Sequence, residues 1–396
     1  MDKVEELLTR GVANIIPNKE ELKKLLASGK ILNVYFGIDP TATKIHLGHA
    51  VLLRKLNEFA KLGHNVTFVI GDFTALIGDT SDKNKERPTL TSEQIQENFK
   101  NYKKQAEKIL DFSKIKIRYN SEWLNKLDFR KVVELCMKFS ANDLISRELI
   151  KKRLDAKNRV GLHEFLYPVM QGYDSYFMDT DLQIGGTDQT FNMQAGRTLQ
   201  KIWRSKESFV LATEFLMGTD GRKMSKSWDN TIWLDDSPND MFAKIMAIDD
   251  GLMMEYVTLA TNWPLKEKGL EFEYRLKSEN PINIKKDLAF EIVKELYDEK
   301  DAMGAKENFE NTVQNKGVPE EISVFGPEAF ESGRWLEDIL TKINLAESRS
   351  KVKRLIKQRG IKVNGKTITN PEQLMPVADL DIQIGKRKFV KIKITR

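Results

Sequence analysis

Apolar and polar residues in the first 70 positions are arranged as strand, helix and strand. Residues 31–36 form a short apolar run rich in strand formers, and a loop is expected at 37–43. Apolar residues recur at helical spacing over 46–60, and Gly63 stands where a helix cap is expected. Residues 65–70 predict a buried strand. This order predicts a right-handed unit of a parallel sheet, with ligands at the carboxyl ends of its strands.

Helical periodicity dominates the middle of the chain. It predicts helices over 92–110 and 129–156, and we interpret the second as part of a helical insertion at about 115–165 and a candidate subunit contact. Residues 183–189 are expected to form a ligand-binding loop that opens a further helix, because paired glycines let a backbone approach a ligand closely. Charged amphipathic helices are expected from 227 to about 313.

The end of the chain predicts a separate small module. Residues 317–333 contain two prolines and three glycines, which is typical of a linker. Beyond it we expect a helix capped by Ser350, a hairpin that turns at Asn364 and Gly365, and a strand at 389–394.

These patterns indicate an α/β protein of three domains, which agrees with a length of 396 residues. We assign a Rossmann-like, doubly wound parallel sheet domain to 1–228, an α-helical domain to 229–316 and a small α+β domain to 334–396. With 40% hydrophobic and 31% charged residues, the chain can bury a core, which excludes the disordered and fibrous classes. The glycine fingerprint of nicotinamide-binding domains is absent, which argues against a dehydrogenase.

Hydropathy and cysteine content bear on the compartment. No apolar run approaches the length of a membrane span, so no membrane partner is expected. The single cysteine, Cys136, excludes an internal disulfide and any multi-cysteine metal site, which agrees with a reducing compartment. We therefore expect a cytoplasmic protein.

Positive charge is concentrated at the end of the chain. Residues 334–396 hold 16 lysines and arginines against 6 acidic residues, a net charge of +10, whereas the rest holds 48 basic and 52 acidic residues. A basic module on a mildly acidic body is the electrostatic pattern of a protein that binds a polyanion such as RNA. Charge alone leaves a solvated lysine-rich tail as the alternative.

Two histidines stand three residues apart at the start of the first predicted helix. His46 and His49 would lie on one helix face beside the unpaired backbone N–H groups, a place that suits polyphosphate. Gly48 between them would let an adenine ring lie against the helix. A zinc pair is poorly supported, because the chain has four histidines and no cysteine nearby. Two ordinary surface histidines remain an alternative.

A second basic motif, Lys223-Met224-Ser225-Lys226-Ser227, follows a turn at 218–221. Two ammonium groups on such a loop can close on a leaving pyrophosphate and offset charge that develops in the transition state. The alternative for this motif taken by itself is a solvated lysine loop. The two motifs in this order together favour adenylate formation from ATP.

The sequence resembles the class I aminoacyl-tRNA synthetases, and among them the bacterial tyrosyl-tRNA synthetases. The resemblance covers nearly the whole chain. Its segments, in family order, are 35–42, 46–49, 76–79, 167–174, 183–189 and 223–227. The C-terminal module resembles a small RNA-binding domain shared with a ribosomal small-subunit protein and some pseudouridine synthases.

The resemblance implies a tyrosine–tRNA ligase. Such an enzyme activates L-tyrosine with ATP to tyrosyl-adenylate, releases pyrophosphate, and transfers tyrosine to the 3′ end of tyrosine tRNA. It implies ATP as a substrate that carries Mg²⁺, with no metal bound tightly by the protein. It also implies a homodimer through the inserted helices, with tRNA bridging the subunits.

The resemblance assigns roles to individual residues. His46, His49, Lys223 and Lys226 would act in catalysis. The tyrosine-binding residues would be Tyr35 and Asp174 at the phenol, Tyr167, Gln171 and Asp79 at the ammonium, and Gln189. The ATP and adenylate contacts would be Asp39, Thr41, His46, Gly48, His49, Gly186, Asp188, Lys223, Met224, Ser225 and Lys226. Without the family pattern, lone residues such as Tyr35, Tyr167 and Gln171 would be interpreted as ordinary core packing.

The sequence departs from the family pattern at three places. Leu47 replaces the more usual isoleucine, a change that conserves volume. Phe36 stands where many members have cysteine, which puts a ribose contact there in doubt. After Asp79 the chain has Thr-Ser-Asp-Lys in place of Pro-Ser-Gly, so Lys83 and Arg87 match phosphate-binding positions by offset alone.

Two other functions are considered. A tryptophanyl enzyme shares the fold and both basic motifs, but the pairing of Tyr35 with Asp174 and the basic C-terminal module argue against it. A non-catalytic RNA-binding relative would be expected to have a broken motif, and here both are intact.

Overall fold

A computed structural model describes residues 3–41, 43–78, 91–314, 323–346, 348–385 and 388–394. The chain divides into two compact units, residues 1–302 and 303–396. In the described residues, no helix is both long enough and apolar enough to cross a membrane.

Helices make up most of the regular structure. The α-helices are α1 (Lys3–Leu7), α2 (Lys19–Ala27), α3 (Leu47–Lys61), α4 (Thr74–Ile77), α5 (Ser92–Ala106), α6 (Ser121–Leu124), α7 (Phe129–Cys136), α8 (Ala141–Ile145), α9 (Glu148–Asp155), α10 (Leu162–Phe177), α11 (Thr190–Arg204), α12 (Pro238–Ile245), α13 (Met253–Ala260), α14 (Leu270–Ser278), α15 (Pro281–Leu296), α16 (Glu299–Phe309), α17 (Leu336–Lys342) and α18 (Arg349–Lys357). The strands are β1 (Val12–Ile16), β2 (Asn33–Ile38), β3 (Asn65–Ile70), β4 (Ile115–Tyr119), β5 (Leu182–Gly186), β6 (Phe209–Thr213), β7 (Ser323–Phe325), β8 (Ile361–Val363), β9 (Lys366–Thr367), β10 (Leu380–Ile384) and β11 (Lys388–Ile392).

The larger unit is built on a sheet with the order β1-β6-β5-β2-β3-β4. Strands β2 to β6 run parallel, and β1 pairs antiparallel with β6 at one edge. From β2 the chain adds β3 and β4 on one side, and then returns to add β5 and β6 on the other. The crevice between β2 and β5 is therefore the topological switch point, where sheets of this kind bind ligands. The predicted doubly wound α/β fold is confirmed.

Helix α3 packs its apolar face against the centre of this sheet. Leu47, Leu53, Leu56 and Phe59 recur at helical spacing and are fully buried. Burial of each such side chain stabilises the fold by about 1.5–3 kcal/mol. Gly63 follows the helix with φ +86°, as its predicted capping role requires. The predicted helix at 46–60 and strand at 65–70 are confirmed within one residue.

Helices α10 and α11 approach each other closely because both have glycine at the contact. A Cβ on Gly172 would lie 3.0 Å from the carbonyl carbon of Ala195, and one on Gly196 would lie 2.7 Å from Ser175 Cβ. The start of α10 is fixed by a buried ion pair, in which Arg153 Nη2 lies 3.0 Å from Glu164 Oε1. These contacts fix α10 against α11 and α9.

The predicted helical insertion at about 115–165 is wrong at its start. Residues 115–119 form β4, an edge strand of the central sheet, and the predicted helix at 129–156 is divided into α7, α8 and α9. The segment at 183–189 also differs, because residues 183–186 belong to the buried strand β5. Glycine pairs favour loops in a sequence, but burial on both faces selects the strand here.

The helices after residue 236 agree with the predicted helical stretch, and Asn280 caps α15 with Pro281 in its first turn. In the C-terminal unit the sheet order is β7-β11-β10-β8-β9, and α17 and α18 cover an apolar core. The predicted hairpin at Asn364 and Gly365 is confirmed, with φ of +49° and +77°.

Two C-terminal predictions differ from the structure. The cap of α18 is Ser348, which accepts from Lys351 N at 3.3 Å, whereas Ser350 lies inside the helix. In the segment interpreted as a linker, residues 323–325 form β7, which pairs with β11. Their short apolar run lies close to two glycines and two prolines, so the sequence pattern favoured a linker.

Candidate active site

The predicted site residues gather at the carboxyl end of the switch-point strands. Asp39 follows β2, Asp188 follows β5, and His46 precedes α3. In the parallel register, Tyr35 of β2 lies beside Gln183 of β5. Three separate stretches of sequence thus meet above the crevice between these two strands.

One wall of the crevice contains a buried carboxyl group, that of Asp174 on α10. Its Oδ1 accepts from the Trp123 indole N–H at 2.7 Å, and its Oδ2 accepts from Asn120 Nδ2 at 3.3 Å. The Tyr35 hydroxyl, also buried, donates to Gln183 Oε1 at 3.1 Å. The wall therefore presents a carboxyl and a phenol that are both held by hydrogen bonds.

The burial of these two groups shifts their pKa values. Burial raises the pKa of Asp174 to about 8, the charges of Asp39 and Asp72 act in the same direction, and its two hydrogen bonds act in the opposite one. Burial also raises the pKa of Tyr35 well above its usual value, with the Asp174 charge as a second cause. At neutral pH the phenol is therefore un-ionised and the carboxyl is mostly protonated.

A chain of hydrogen bonds connects this carboxyl to Asp39. Asp39 accepts from the Tyr167 hydroxyl at 2.9 Å and from Thr74 Oγ1 at 2.7 Å. Asn120 Nδ2 donates to Thr74 Oγ1 at 3.0 Å and also contacts Asp174. The two carboxyl groups are therefore fixed relative to each other through the side chains of Thr74 and Asn120.

The two histidines lie together at the start of α3. Their ring centroids are 3.8 Å apart, and the backbone N–H of His46 donates to His49 Nδ1 at 3.3 Å. Burial lowers the pKa of His46 well below its usual value, with His49 and Lys223 as further causes. A Cβ on Gly48 would lie 3.0 Å from His46 Nδ1, so a larger residue would press on that ring.

The lysine motif lies beside the turn that follows β5. Lys223 Nζ is 3.3 Å from Asp188 Oδ2 and 3.8 Å from the centre of the Phe215 ring. Met224 is buried, whereas Lys226 is exposed at the start of a short 3-10 turn. One lysine of the motif thus already points into the site.

The remaining predicted residues are distributed around this centre. Thr41 lies in the loop after Asp39, and its N–H donates to the Asp39 carbonyl at 2.7 Å. Gln171 is half-buried on α10, and Gln189 accepts from Asn192 Nδ2 at 3.0 Å. Gly186 ends β5, and Ser225 directly precedes the turn that contains Lys226. Asp79, Lys83 and Arg87 lie outside the described residues.

Sequence reasoning missed the residues that support the predicted ones. Asn120, Trp123 and Thr74 bond the carboxyl groups, and Gln183 bonds Tyr35. Asn120 directly follows β4, and a polar residue in that position of a parallel strand indicates a binding site. The sequence does not reveal this signal, because β4 itself is not predicted from it. In the described part of the chain, no group of three or more histidine, cysteine, aspartate or glutamate residues could hold a metal ion.

Comparison with known proteins agrees with this geometry. The family model for tRNA synthetases class I (W and Y) matches residues 28–314, and the model for the S4 domain matches residues 334–379. The chain is 42% identical over 389 residues to tyrosine–tRNA ligase 2 of Vibrio cholerae, covering 98% of this chain and 97% of that protein. It is 39% identical over 391 residues to tyrosine–tRNA ligase of Thermotoga maritima, covering 98% and 96%.

Solved structures share the fold at low sequence identity. A truncated mitochondrial tyrosyl-tRNA synthetase of Aspergillus nidulans is similar with a TM-score of 0.65 and 22% identity, covering 77% of this chain and 92% of that one. Tyrosyl-tRNA synthetase of Archaeoglobus fulgidus, solved with L-tyrosine, gives a TM-score of 0.59 and 23% identity, covering 77% and 100%. The family match over most of the chain decides the assignment: this chain belongs to the class I tRNA synthetases of the tryptophan and tyrosine group.

Proposed function

We propose that this chain is a tyrosine–tRNA ligase that forms tyrosyl-adenylate from tyrosine and ATP and transfers tyrosine to the 3′ end of tyrosine tRNA. The observation that supports tyrosine over tryptophan is the buried pair of polar groups on one wall, Tyr35 and Asp174. A buried carboxyl that meets no hydroxyl of the substrate leaves its hydrogen bonding incomplete, which is costly.

In the proposed mechanism the substrate carboxylate attacks the α-phosphate of ATP, and pyrophosphate leaves. The phenol of tyrosine lies against Tyr35 and Asp174, and its ammonium against the side that contains Tyr167, Gln171 and Asp79. No covalent bond to the enzyme is needed, so catalysis depends on positioning and on electrostatic stabilisation.

The phosphate side of the proposed site combines two lysines with a helix start. Lys223 and Lys226 offset the charge on the leaving pyrophosphate, and the α3 backbone N–H groups lie beside it. His46 acts as a neutral hydrogen-bonding group, because burial lowers its pKa, and His49 stacks against it. Mg²⁺ enters with ATP as part of the substrate.

The adenylate is proposed to lie over the switch point. Asp39, Thr41, Gly186, Asp188 and Gln189 are its nearest candidates, with Gly48, Met224 and Ser225 beside the nucleotide. Asp188 and Lys223 pair at 3.3 Å, and the phosphates of ATP are proposed to compete with Asp188 for the lysine. A cytoplasmic location is also proposed, since the single cysteine agrees with a reducing compartment.

Amino-acid-dependent exchange between ATP and pyrophosphate tests the proposed substrate. Tyrosine is expected to stimulate exchange strongly, whereas phenylalanine and tryptophan at equal concentration are expected to stimulate it weakly. Rejection of phenylalanine by a hydroxyl-binding site is established for enzymes of this class. Stimulation by tryptophan without tyrosine would contradict the assignment, and no exchange with any amino acid would indicate a non-catalytic relative.

The pH dependence of tyrosine binding tests the role of Asp174. Its pKa is about 8, so the carboxyl ionises as the pH rises through that value. An ionised carboxylate accepts a hydrogen bond more strongly than a neutral carboxyl, so tyrosine should bind about fivefold more tightly above this pH. Equilibrium dialysis between about pH 6.5 and 9.5 measures this change.

Two variants and a control make this test specific. In Asp174→Asn the profile should reflect the ionisation of free tyrosine alone. In Trp123→Phe the midpoint should move to higher pH, because a hydrogen bond that favours the ionised form is lost. Trp335→Phe, in the C-terminal unit, is the matched control and should leave the midpoint unchanged. Identical profiles for the unmodified chain and Asp174→Asn would refute the role.

Each domain is proposed to have its own role. Residues 1–228 form the adenylate, residues 229–316 lie on the anticodon side, and residues 334–396 bind tRNA. The net charge of +10 in the last segment supports RNA binding. Because β7 pairs with β11, removal of the module is better made after residue 314 than at 333. The segment at 317–333 then serves only in part as a linker.

A chain that ends at residue 314 is expected to retain tyrosine-dependent exchange within about twofold. Its rate of tRNA charging at low tRNA concentration should fall on the order of tenfold or more, because phosphate contacts are lost. The full chain should also lose charging activity more steeply with salt than the shortened one. An equal loss of exchange and charging in the shortened chain would argue against a separate RNA module.

A homodimer is proposed to form through the inserted helices. Phe129 and Val133 on α7 and Met137 at its C-cap are four residues apart and form an apolar stripe, with Phe129 83% and Met137 76% exposed. Exposed apolar stripes of this kind are typical of subunit contacts. This stripe is therefore the surface through which the insertion is proposed to contact the second subunit.

Sedimentation tests this surface. The unmodified chain is expected to sediment with twice the mass of one chain, and Met137→Lys to shift the equilibrium towards the monomer at least tenfold, because a charge would be buried in the contact. Leu270→Lys, at an exposed apolar position on α14, is the matched control. A monomeric unmodified chain, or a Met137→Lys variant as dimeric as the control, would contradict the proposal.

A further inference from the structure

The lysine motif is organised by a residue that lies outside it, Asn230. Its side chain is buried beneath the loop, at 2% exposure. Nδ2 lies within hydrogen-bond distance of Asp220 Oδ1 at 2.7 Å and of the carbonyls of Lys223 and Arg222 at 3.2 and 3.3 Å. Oδ1 accepts from Ser225 N at 2.8 Å. One amide group therefore contacts the backbone on both sides of Met224.

The backbone of the same residue closes the loop from the other side. The carbonyl of Asn230 accepts from Thr219 N at 3.1 Å. Gly218 packs directly against the Asn230 side chain, and a Cβ there would overlap the amide. The turn that precedes the motif is thus shaped around Asn230, and a glycine at 218 makes this close approach possible.

The stem of the loop is held separately by helix α13. Met217 N donates to Glu255 Oε1 at 2.6 Å, and the Tyr256 hydroxyl donates to the Met217 carbonyl at 2.8 Å. Tyr256 is fully buried, so this end of the loop is anchored in the core. Between the anchored stem and Asn230 the chain presents Lys223 to the site.

We propose that Asn230 is a positioning residue for adenylate formation, which acts by holding the backbone of Lys223 and Ser225 so that the Lys223 ammonium reaches the phosphates. This proposal rests on the role proposed above for Lys223. The phosphates of ATP compete with Asp188 for the Lys223 side chain, whereas the contacts of Asn230 with residues 222, 223 and 225 are to the backbone and do not depend on that exchange. A misplacement of about 1 Å at a reacting group can lower a rate on the order of a hundredfold.

The main test is the Asn230→Ala variant of the full chain, studied by rapid mixing with tyrosine and ATP. The rate constant of adenylate formation is expected to fall on the order of tenfold to a hundredfold. The dissociation constant of tyrosine should stay within about twofold, because the tyrosine side of the site has no contact with Asn230 among those described. Asn158→Ala, an exposed asparagine in the insertion, is the matched control and should match the unmodified chain.

A paired substitution separates positioning from folding. The double variant Asn230→Asp/Asp220→Asn keeps a hydrogen bond between positions 220 and 230, with donor and acceptor exchanged. It also keeps an oxygen that accepts from Ser225 N. The donors to the carbonyls of Arg222 and Lys223 are lost. The rate of adenylate formation should stay low, whereas the dissociation constant of tyrosine, measured on the same sample below its unfolding midpoint, should stay within about twofold of that of the unmodified chain and so show that the site is folded.

Lys223→Met distinguishes failure of this proposal from failure of the proposed function. A slow Lys223→Met variant with an Asn230→Ala variant at full rate would overturn the positioning role while the role of the lysine stands. A full rate in Lys223→Met would remove the basis of both. Restoration of the full rate by the paired substitution, or a parallel loss of tyrosine affinity and rate in Asn230→Ala, would also overturn the proposal.

Discussion

A buried carboxyl group in one wall of the crevice is the constraint on which the proposed tyrosine-binding side of the site depends. Asp174 can remain there only if its oxygens are given donors, and these come from Trp123 and Asn120 near the end of β4. To bring them within reach, α10 must lie close to the sheet, which requires Gly172 and Gly196 at its contact with α11. The polar pocket thus dictates the packing of two helices and the position of an edge strand.

The phosphate side of the crevice is organised differently. Burial lowers the pKa of His46, so this histidine contributes a hydrogen-bonding group and shape rather than charge at neutral pH. Positive charge comes from the lysine loop and from the start of α3. One side of the site is therefore fixed by buried neutral contacts, whereas the other has its charges on a loop, where they can follow a substrate whose charge distribution changes during the reaction.

The sequence predicted the centre of the fold well and its periphery less well. Helix α3 and strand β3 have clear hydrophobic patterns and are separated at Gly63, so their predicted bounds are nearly correct. Strand β4 has lysine and arginine at alternate positions, as an edge strand can. Its sequence therefore predicts part of a helical region instead of a buried strand. Asp174 was accessible to sequence reasoning through the family pattern, but its donor Trp123 lies 51 residues away in the chain. No local pattern reports such a contact.

The strengths of the contacts at Lys223 explain why a separate anchor is needed. Its bridge to Asp188 involves a lysine side chain that is 40% exposed, and exposed pairs of this kind stabilise by about 1 kcal/mol or less. A polyphosphate can therefore displace the aspartate easily. If that bridge were the main restraint, the loop would lose its geometry when ATP arrives. Hydrogen bonds from a buried amide to the backbone are unaffected by this exchange, so the lysine can change partners while the peptide that positions it stays in place.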